Sequence, residues 1–356
     1  MIKAVYIHIP FCQNICSYCD FCKFFYNDKI VDTYLESLEK EIRKYYNSEI
    51  IETIYIGGGT PSALNTTQLR RLFETIQIFK TNHLEYTIEC NVEDINETQL
   101  ELFKKFGINR LSIGVQTFHE ESIKYLDRHH TKDNAIEKIN LAKEYFENIN
   151  VDLIYAIPGE TLETLRQDLE ILLNLDIQHI SAYSLIIEPH TILNNKGVTN
   201  IDEELDSEMY QLIINKLIDF DHYEISNFGK IKSRHNLVYW NNEEYYGFGI
   251  GASGYANGIR YDNVKSLKSY NSGKYRFTEE ELTVSKQIEN EFILGLRKTA
   301  GIHIENFFYK YQKDILDIKT VKELISERKL ILKDNHLFIN PEMLYISNEI
   351  LIRLME

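Results

Sequence analysis

A chain of 356 residues with 44% apolar and 12% aromatic side chains can bury a full core, as one large domain or as a barrel with a small appendage. Its formal net charge of −15, from 54 acidic and 39 basic residues, argues against nucleic acid or anionic membrane as the main partner. No run approaches about eighteen consecutive apolar residues, and Pro10 interrupts the opening segment too soon for a signal peptide, so nothing here spans or crosses a bilayer. Five cysteines, an odd number with four of them packed into eleven residues, suit a reducing cytoplasm and not a disulfide framework.

Taken in chain order, short apolar and β-branched runs alternate with amphipathic stretches. The expected strands are Ala4–Ile9, Thr53–Gly57, Tyr86–Cys90, Arg110–Val115, Val151–Tyr155 and Ile180–Leu185. Between the first two, Asp32–Tyr46 places Leu35, Leu38, Ile42 and Tyr45 on one helical face, with Glu36/Lys40 and Glu39/Arg43 paired outside. Thr66–Phe79, Asn96–Phe106, Asp133–Phe146 and Thr161–Leu173 supply further helices, and Gly107 marks a helix stop. Strand–helix alternation of this kind reads as α/β, an open partial (β/α)6 barrel with functional groups at the C-terminal ends of its strands.

After residue 200 the pattern changes. Pro189–Ser207 reads as a connection, followed by a helix at Glu208–Phe220 and an aromatic, glycine-rich stretch through Tyr261. From about Ser285 helices return, then a strand–turn–strand over Leu330–Ile339 around Asp334-Asn335 and a last helix at Ile346–Leu354. These divide the chain into a barrel (1–200), a connecting helix with an aromatic segment (201–284), and a small winged-helix-like domain (285–356). The acidic balance makes that last domain a packing module and not a DNA reader.

The chemistry concentrates near the N-terminus. Cys12, Cys16 and Cys19 are spaced C-x3-C-x2-C within eight residues, with Tyr18 before the last. A structural zinc site wants four ligands, and no downstream Cys or His pair is spaced to complete one. Three thiolates can instead hold three corners of a [4Fe–4S] cube and leave one iron open for a small chelating molecule. Gly57-Gly58-Gly59-Thr60-Pro61-Ser62 follows the second strand, where glycines leave the backbone open to close approach. Glu89, Gln116 and Asp152 stand at later strand ends, and Arg128 could grip a carboxylate in bidentate fashion. Cys22 reads as a spare thiol and Cys90 as a small buried apolar residue.

The segment His8-Ile9-Pro10-Phe11-Cys12-Gln13-Asn14-Ile15-Cys16-Ser17-Tyr18-Cys19 resembles the radical S-adenosylmethionine (SAM) superfamily, in which SAM occupies the open iron. With Gly57–Ser62, Glu89, Gly114-Val115-Gln116, Arg128 and Asp152-Leu153-Ile154-Tyr155, nearly the whole chain resembles one branch of it. That branch holds the oxygen-independent coproporphyrinogen III dehydrogenases and the related heme chaperones of the HemW type. The resemblance implies that Cys12, Cys16 and Cys19 hold the cluster. It implies SAM contacts from Tyr6, Tyr18, Gly58, Gly59, Thr60, Glu89, Gln116, Arg128, Asp152 and Ile186. In the dehydrogenases, Gln116, Arg128 and Asp152 fall among the positions that serve a second SAM.

Three features separate the two members of the branch. The cysteine loop begins only eleven residues in, without the extension that covers the dehydrogenase site. Phe21 holds the place of an extra dehydrogenase cysteine, with Cys22 one residue later. Ser233-Arg234-His235-Asn236-Leu237-Val238-Tyr239-Trp240 is similar to the chaperones' H-N-x-x-Y-W hallmark. There His235 could ligate heme iron, while Tyr239 and Trp240, the only tryptophan, offer flat faces. The resemblance therefore implies a cytoplasmic heme chaperone with a [4Fe–4S] cluster, SAM and heme. Its partners would be apo-hemoproteins of the respiratory chain, met by transient contact with membrane proteins, and it would form a homodimer. The alternative is the dehydrogenase, which oxidatively decarboxylates coproporphyrinogen III in heme biosynthesis.

Overall fold

A computed structural model describes residues 1–355. Six strands run parallel and in sequential order: β1 (Ala4–Ile9), β2 (Ile50–Gly58), β3 (Lys80–Asn91), β4 (Arg110–Gln116), β5 (Asn148–Tyr155) and β6 (His179–Ser184). All six expected strands are present, most of them longer than the sequence suggested. Five helices cover them: α1 (Asp28–Tyr45), α2 (Thr66–Ile76), α3 (Glu97–Lys105), α4 (Lys132–Tyr145) and α5 (Leu162–Asn174). Each opens on a side chain that accepts a hydrogen bond from the first turn: Asn27, Asn65, Asn96, Thr131 and Thr161.

The register explains why the strands can be parallel without being apolar throughout. Ile88 pairs with Leu111 and Ile113 with Val151, and these alternate positions pack against the helices. The intervening positions face the other way: Glu89 beside Ser112, Gly114 beside Asp152, and Asp152 beside Ser181. The outward side is core, and the inward side is polar.

The chain after β6 does not leave this sheet. α6 (Glu203–Lys216) starts earlier than expected because the Asp202 carboxylate caps it and Glu203 and Glu204 occupy its first turn. β7 (Asp221–Glu224) and β8 (Asn227–Gly229) then add antiparallel strands beyond β6. A seven-residue helix, α7 (Arg234–Trp240), carries the chain to the opposite edge. There β9 (Tyr245–Phe248) pairs parallel with β1, and β10 (Ser253–Ala256), β11 (Ile259–Asn263) and β12 (Arg276–Glu281) extend the sheet to twelve strands.

The C-terminal part comprises α8 (Val284–Gly295), β13 (Ile302–His303), α9 (Ile304–Tyr311), α10 (Lys319–Ser326), β14 (Leu330–Lys333), β15 (His336–Ile339) and α11 (Ser347–Met355). Its three strands lie in the order β13-β15-β14, and Asp334 and Asn335, both at positive φ, make the two-residue hairpin. One buried apolar cluster runs from Ile2 to Leu351.

The added strands are tied to the barrel by a buried charge. Glu41 of α1, fully buried, accepts hydrogen bonds from the Gly249 N–H (2.8 Å), Asn263 Nδ2 (2.8 Å), the Tyr270 hydroxyl and Arg276 (3.0 Å). Removing one partner of a buried charge pair leaves the other uncompensated. Glu41→Ala is expected to lower the unfolding free energy by about 3 kcal/mol, read as a lower urea midpoint. An unchanged midpoint would show that these donors rehydrate at no cost.

Candidate functional site

The C-terminal ends of the parallel strands open into a cavity of about 400 Å³. Cys12, Cys16, Tyr18 and Cys19 line it from the loop after β1, Gly58, Gly59 and Thr60 from the end of β2, and Glu89, Gln116, Asp152 and Ile186 from later strand ends. Arg128 reaches it from behind. Twelve residues expected at the cluster and SAM sites thus surround one space. Tyr6 does not: its hydroxyl meets His8 Nδ1 at 2.9 Å, and it lines a second cavity.

Three thiols from one loop face the cavity, one fewer than a structural zinc site takes. Among the described residues no three His, Cys, Asp or Glu side chains converge where one metal ion would sit. Cys12 is buried, accepts a hydrogen bond from Thr60 Oγ1 (3.4 Å), and burial pushes its thiol up to about 11. Thiols in that state need a metal's charge to ionise, and a cluster supplies it. The glycines are required for a reason other than the one expected from sequence. A Cβ at Gly57 would strike the Glu89 carboxylate at 2.7 Å, one at Gly58 (φ +118°) the His8 ring at 2.6 Å, and one at Gly59 the Phe11 N at 2.9 Å. The segment is a cradle in which backbone, His8 and Glu89 already touch.

Glu89 accepts a hydrogen bond from the Gly58 N–H (2.9 Å); burial, and then the nearby Asp152 carboxylate, push its carboxyl up to about 7. Asp152 is raised by burial as well, and Asn150 Nδ2 donates to it at 2.8 Å. Gln116 closes β4 in the left-handed region (φ +77°), at a register shift against β5, and Ala156 just after β5 does the same (φ +62°). That region is uncommon for non-glycine residues, and at Gln116 it falls on the cavity lining.

Arg128, read from sequence as a grip for a ligand carboxylate, is already engaged. Nη2 donates to Glu93 Oε2 (3.1 Å) and the Gly114 carbonyl (2.7 Å), and Nη1 to Asn91 Oδ1 (2.9 Å) and Cys16 Sγ (3.6 Å). Against the upward push of burial, His130 and Arg128 hold the Glu93 carboxyl down to about 2. Arg128 thus braces the cysteine loop.

The residues expected to hold heme do not form one face. His235 is fully buried at the opposite end of the barrel, with Nδ1 2.9 Å from Thr53 Oγ1 and Nε2 2.9 Å from the Tyr239 hydroxyl. Burial, and then positive Arg110, push its imidazole down to about 3. Both ring nitrogens are occupied, so as folded His235 has none for iron. Tyr239 lines the second cavity, while Trp240 packs under the Arg297 guanidinium (4.9 Å). The carboxylate of Glu85 on β3 accepts from the N–H groups of Arg234 and His235 (both 2.9 Å), and Asn236 reaches the main cavity. The helix that carries the hallmark is the floor of the barrel.

Sequence reasoning missed the inward-facing Tyr55, Arg110, Ser112, Asn150, Ser181 and Tyr183, all of which line the main cavity. Parity would have found them: they share a face with Glu89, Gln116 and Asp152 along strands whose other positions are apolar.

Comparison with known proteins agrees with this fold. A family model described as the Radical SAM superfamily matches residues 6–172. A heme chaperone HemW from Lactococcus lactis is 40% identical over 92% of this chain and 90% of its own length. The Bacillus subtilis heme chaperone HemW is 39% identical over 98% of both. The chain belongs to the HemW family. Escherichia coli coproporphyrinogen III oxidase (HemN), a radical SAM enzyme, shares the fold at a TM-score of 0.86 with 21% identity, over 99% of this chain and 89% of that one. Radical SAM membership implies a [4Fe–4S] cluster and SAM; Cys12, Cys16 and Cys19, which face the cavity, would hold the cluster there. When bound, the pair supplies one-electron chemistry. What the chain itself does there is present the thiols and set charge at Glu89 and Asp152.

Any one of Cys12→Ala, Cys16→Ala or Cys19→Ala should abolish the broad visible absorption of the anaerobically reconstituted protein, and Cys22→Ala should keep it, since Cys22 lies outside that cavity. Loss in the Cys22 variant alone would point to a different ligand triplet. Protonating Glu89 removes its attraction for a positively charged ligand such as the SAM sulfonium. SAM affinity measured by calorimetry should therefore rise with pH through about 7. Glu89→Gln should flatten that rise, and a slope that persists in the variant would assign it to another group.

Proposed function

We propose that this chain binds heme and delivers it to apo-proteins, with the cluster and SAM as its resident groups. The observation that carries this over the dehydrogenase reading is where the residues after Cys19 go. Phe21 takes the dehydrogenase cysteine's place and stands 61% exposed at the rim of the cluster cavity, while Cys22 lines the second cavity instead. No fourth thiol of this loop faces the cluster cavity. The name carried by relatives that match over nearly the whole chain supports the same reading.

All five cysteines are free, which fits a cytoplasmic setting. No helix among the described residues is long and apolar enough to cross a membrane. Recipients in the respiratory chain would then be met by transient contact with membrane proteins, and the acting unit would be a homodimer.

The test is titration of heme into the anaerobically reconstituted protein, followed by absorption, with coproporphyrinogen III turnover measured on the same sample. Heme binding without decarboxylation is the expected result. A protein that ignores heme and decarboxylates coproporphyrinogen III would be the dehydrogenase.

A further inference from the structure

The second cavity, of about 350 Å³, lies beside the cluster loop at the junction of β1 with β9. Its walls are Tyr6, His8, Tyr239 and Tyr245, with Cys22 and Lys265 at its edge. Phe21 belongs to its lining and to that of the cluster cavity, so one exposed ring stands between the two spaces. An exposed phenylalanine between two cavities is costly to leave against water and favours a flat apolar partner.

The charges around Phe21 are equally specific. Lys265 makes no hydrogen bond or ion pair among the described residues. Lys23, on the cluster side, donates only to the Cys19 and Phe21 carbonyls. In a chain with net charge −15, two lysines without a carboxylate partner beside one exposed ring form a cationic, aromatic lip; Asp20 is the acidic residue that faces both cavities. A ligand that is flat, apolar and carries carboxylates at its edge satisfies all three features. Tyr239 connects this cavity to the hallmark: its ring meets Tyr245 at 4.6 Å, and its hydroxyl is held from behind by His235 Nε2.

We propose that the second cavity and its Phe21 lip are the porphyrin-docking site. The macrocycle edge enters the cavity against the joined rings of Tyr239 and Tyr245, its face rests on Phe21, and its propionates meet Lys23 and Lys265. In this arrangement Tyr239 is the hallmark residue that touches the ligand, and His235 is a positioning residue behind it. The site rests on the heme-binding reading above. It recognises the ring and its carboxylates without an imidazole ligand, because both nitrogens of His8 are taken, by the Tyr6 hydroxyl and the Cys22 carbonyl, at 2.9 Å each.

The test titrates heme, and separately metal-free protoporphyrin IX, into cluster-loaded wild type, Phe21→Glu, Lys265→Glu and His235→Ala. Lys265→Glu should keep the cluster absorption and SAM affinity, because Lys265 is exposed and lies outside the cluster cavity, and Phe21→Glu is compared with wild type at equal cluster content. Each should bind both porphyrins about tenfold more weakly. Wild type that binds heme while Phe21→Glu and Lys265→Glu bind it equally well would overturn this site and leave the chaperone reading standing. So would heme binding lost in His235→Ala but intact in both surface variants. Wild type that binds no porphyrin would instead remove the chaperone reading itself.

Discussion

A barrel that keeps carboxylates and amides in its interior has to find partners for them among its own side chains, and much of this structure follows from that requirement. Asn150 shows how it is met. Its Nδ2 donates to Ser112 Oγ and Asp152 Oδ1 at 2.8 Å, while its Oδ1 lies 2.6 Å from His179 Nδ1 and accepts from Ser181 Oγ at 3.1 Å. The single Ser181 hydroxyl proton is shared with Asn227 Oδ1 on β8, 3.0 Å away. The network crosses from the parallel strands to the first antiparallel strand, so the extra strands are part of the condition for a polar interior. An unsatisfied amide at that depth would cost about 1–3 kcal/mol, comparable with a sizeable fraction of total stability.

The same requirement explains the path of the chain after β6. A barrel of six strands has two edges and an open floor. β7 and β8 cover one edge, β9–β12 the other, and α7 crosses the floor between them. His235 is the residue that makes the crossing possible, because its two nitrogens answer Thr53 on β2 and Tyr239 within α7. Glu85 takes the first N–H groups of this short helix, which its own turns cannot satisfy. A motif that reads in sequence as a metal ligand beside two aromatic faces is, in three dimensions, a plug with one face turned to a cavity.

The six strands were legible because each alternates cleanly and is followed by an amphipathic helix, and the three cysteines because their spacing excludes a four-ligand zinc site. The twelve-stranded sheet was not legible. β7–β12 are between three and six residues long, and their order depends on α7 bringing distant segments to opposite edges, which no local pattern encodes. Glu93 was hidden for a related reason. It lies in a short turn after β3, and only the fold reveals that its carboxylate holds Arg128, 35 residues on. The glycines were legible as a required feature, but their cause was not: the obstacles are His8 and Glu89, which sequence places on other strands.

Charge balance inside the cavity links the floor to the cluster end. Arg110 is fully buried and lines the cavity, and its side chain makes no hydrogen bond or ion pair among the described residues, with its Nε enclosed and without a partner. It nevertheless lowers the proton affinity of both Glu89 and Asp152, each of which is raised by burial. One guanidinium therefore stands against two carboxylates in a space of low dielectric, where such interactions are strong and weakly screened. Were Arg110 tied to either acid directly, that acid would be spent on the protein's own ion pair. Held at a distance, it leaves Glu89 near the midpoint of its titration at neutral pH and able to respond to whatever charge enters from above. The floor is built from α7, so the helix that presents Tyr239 to one cavity also seals the space in which this balance is kept.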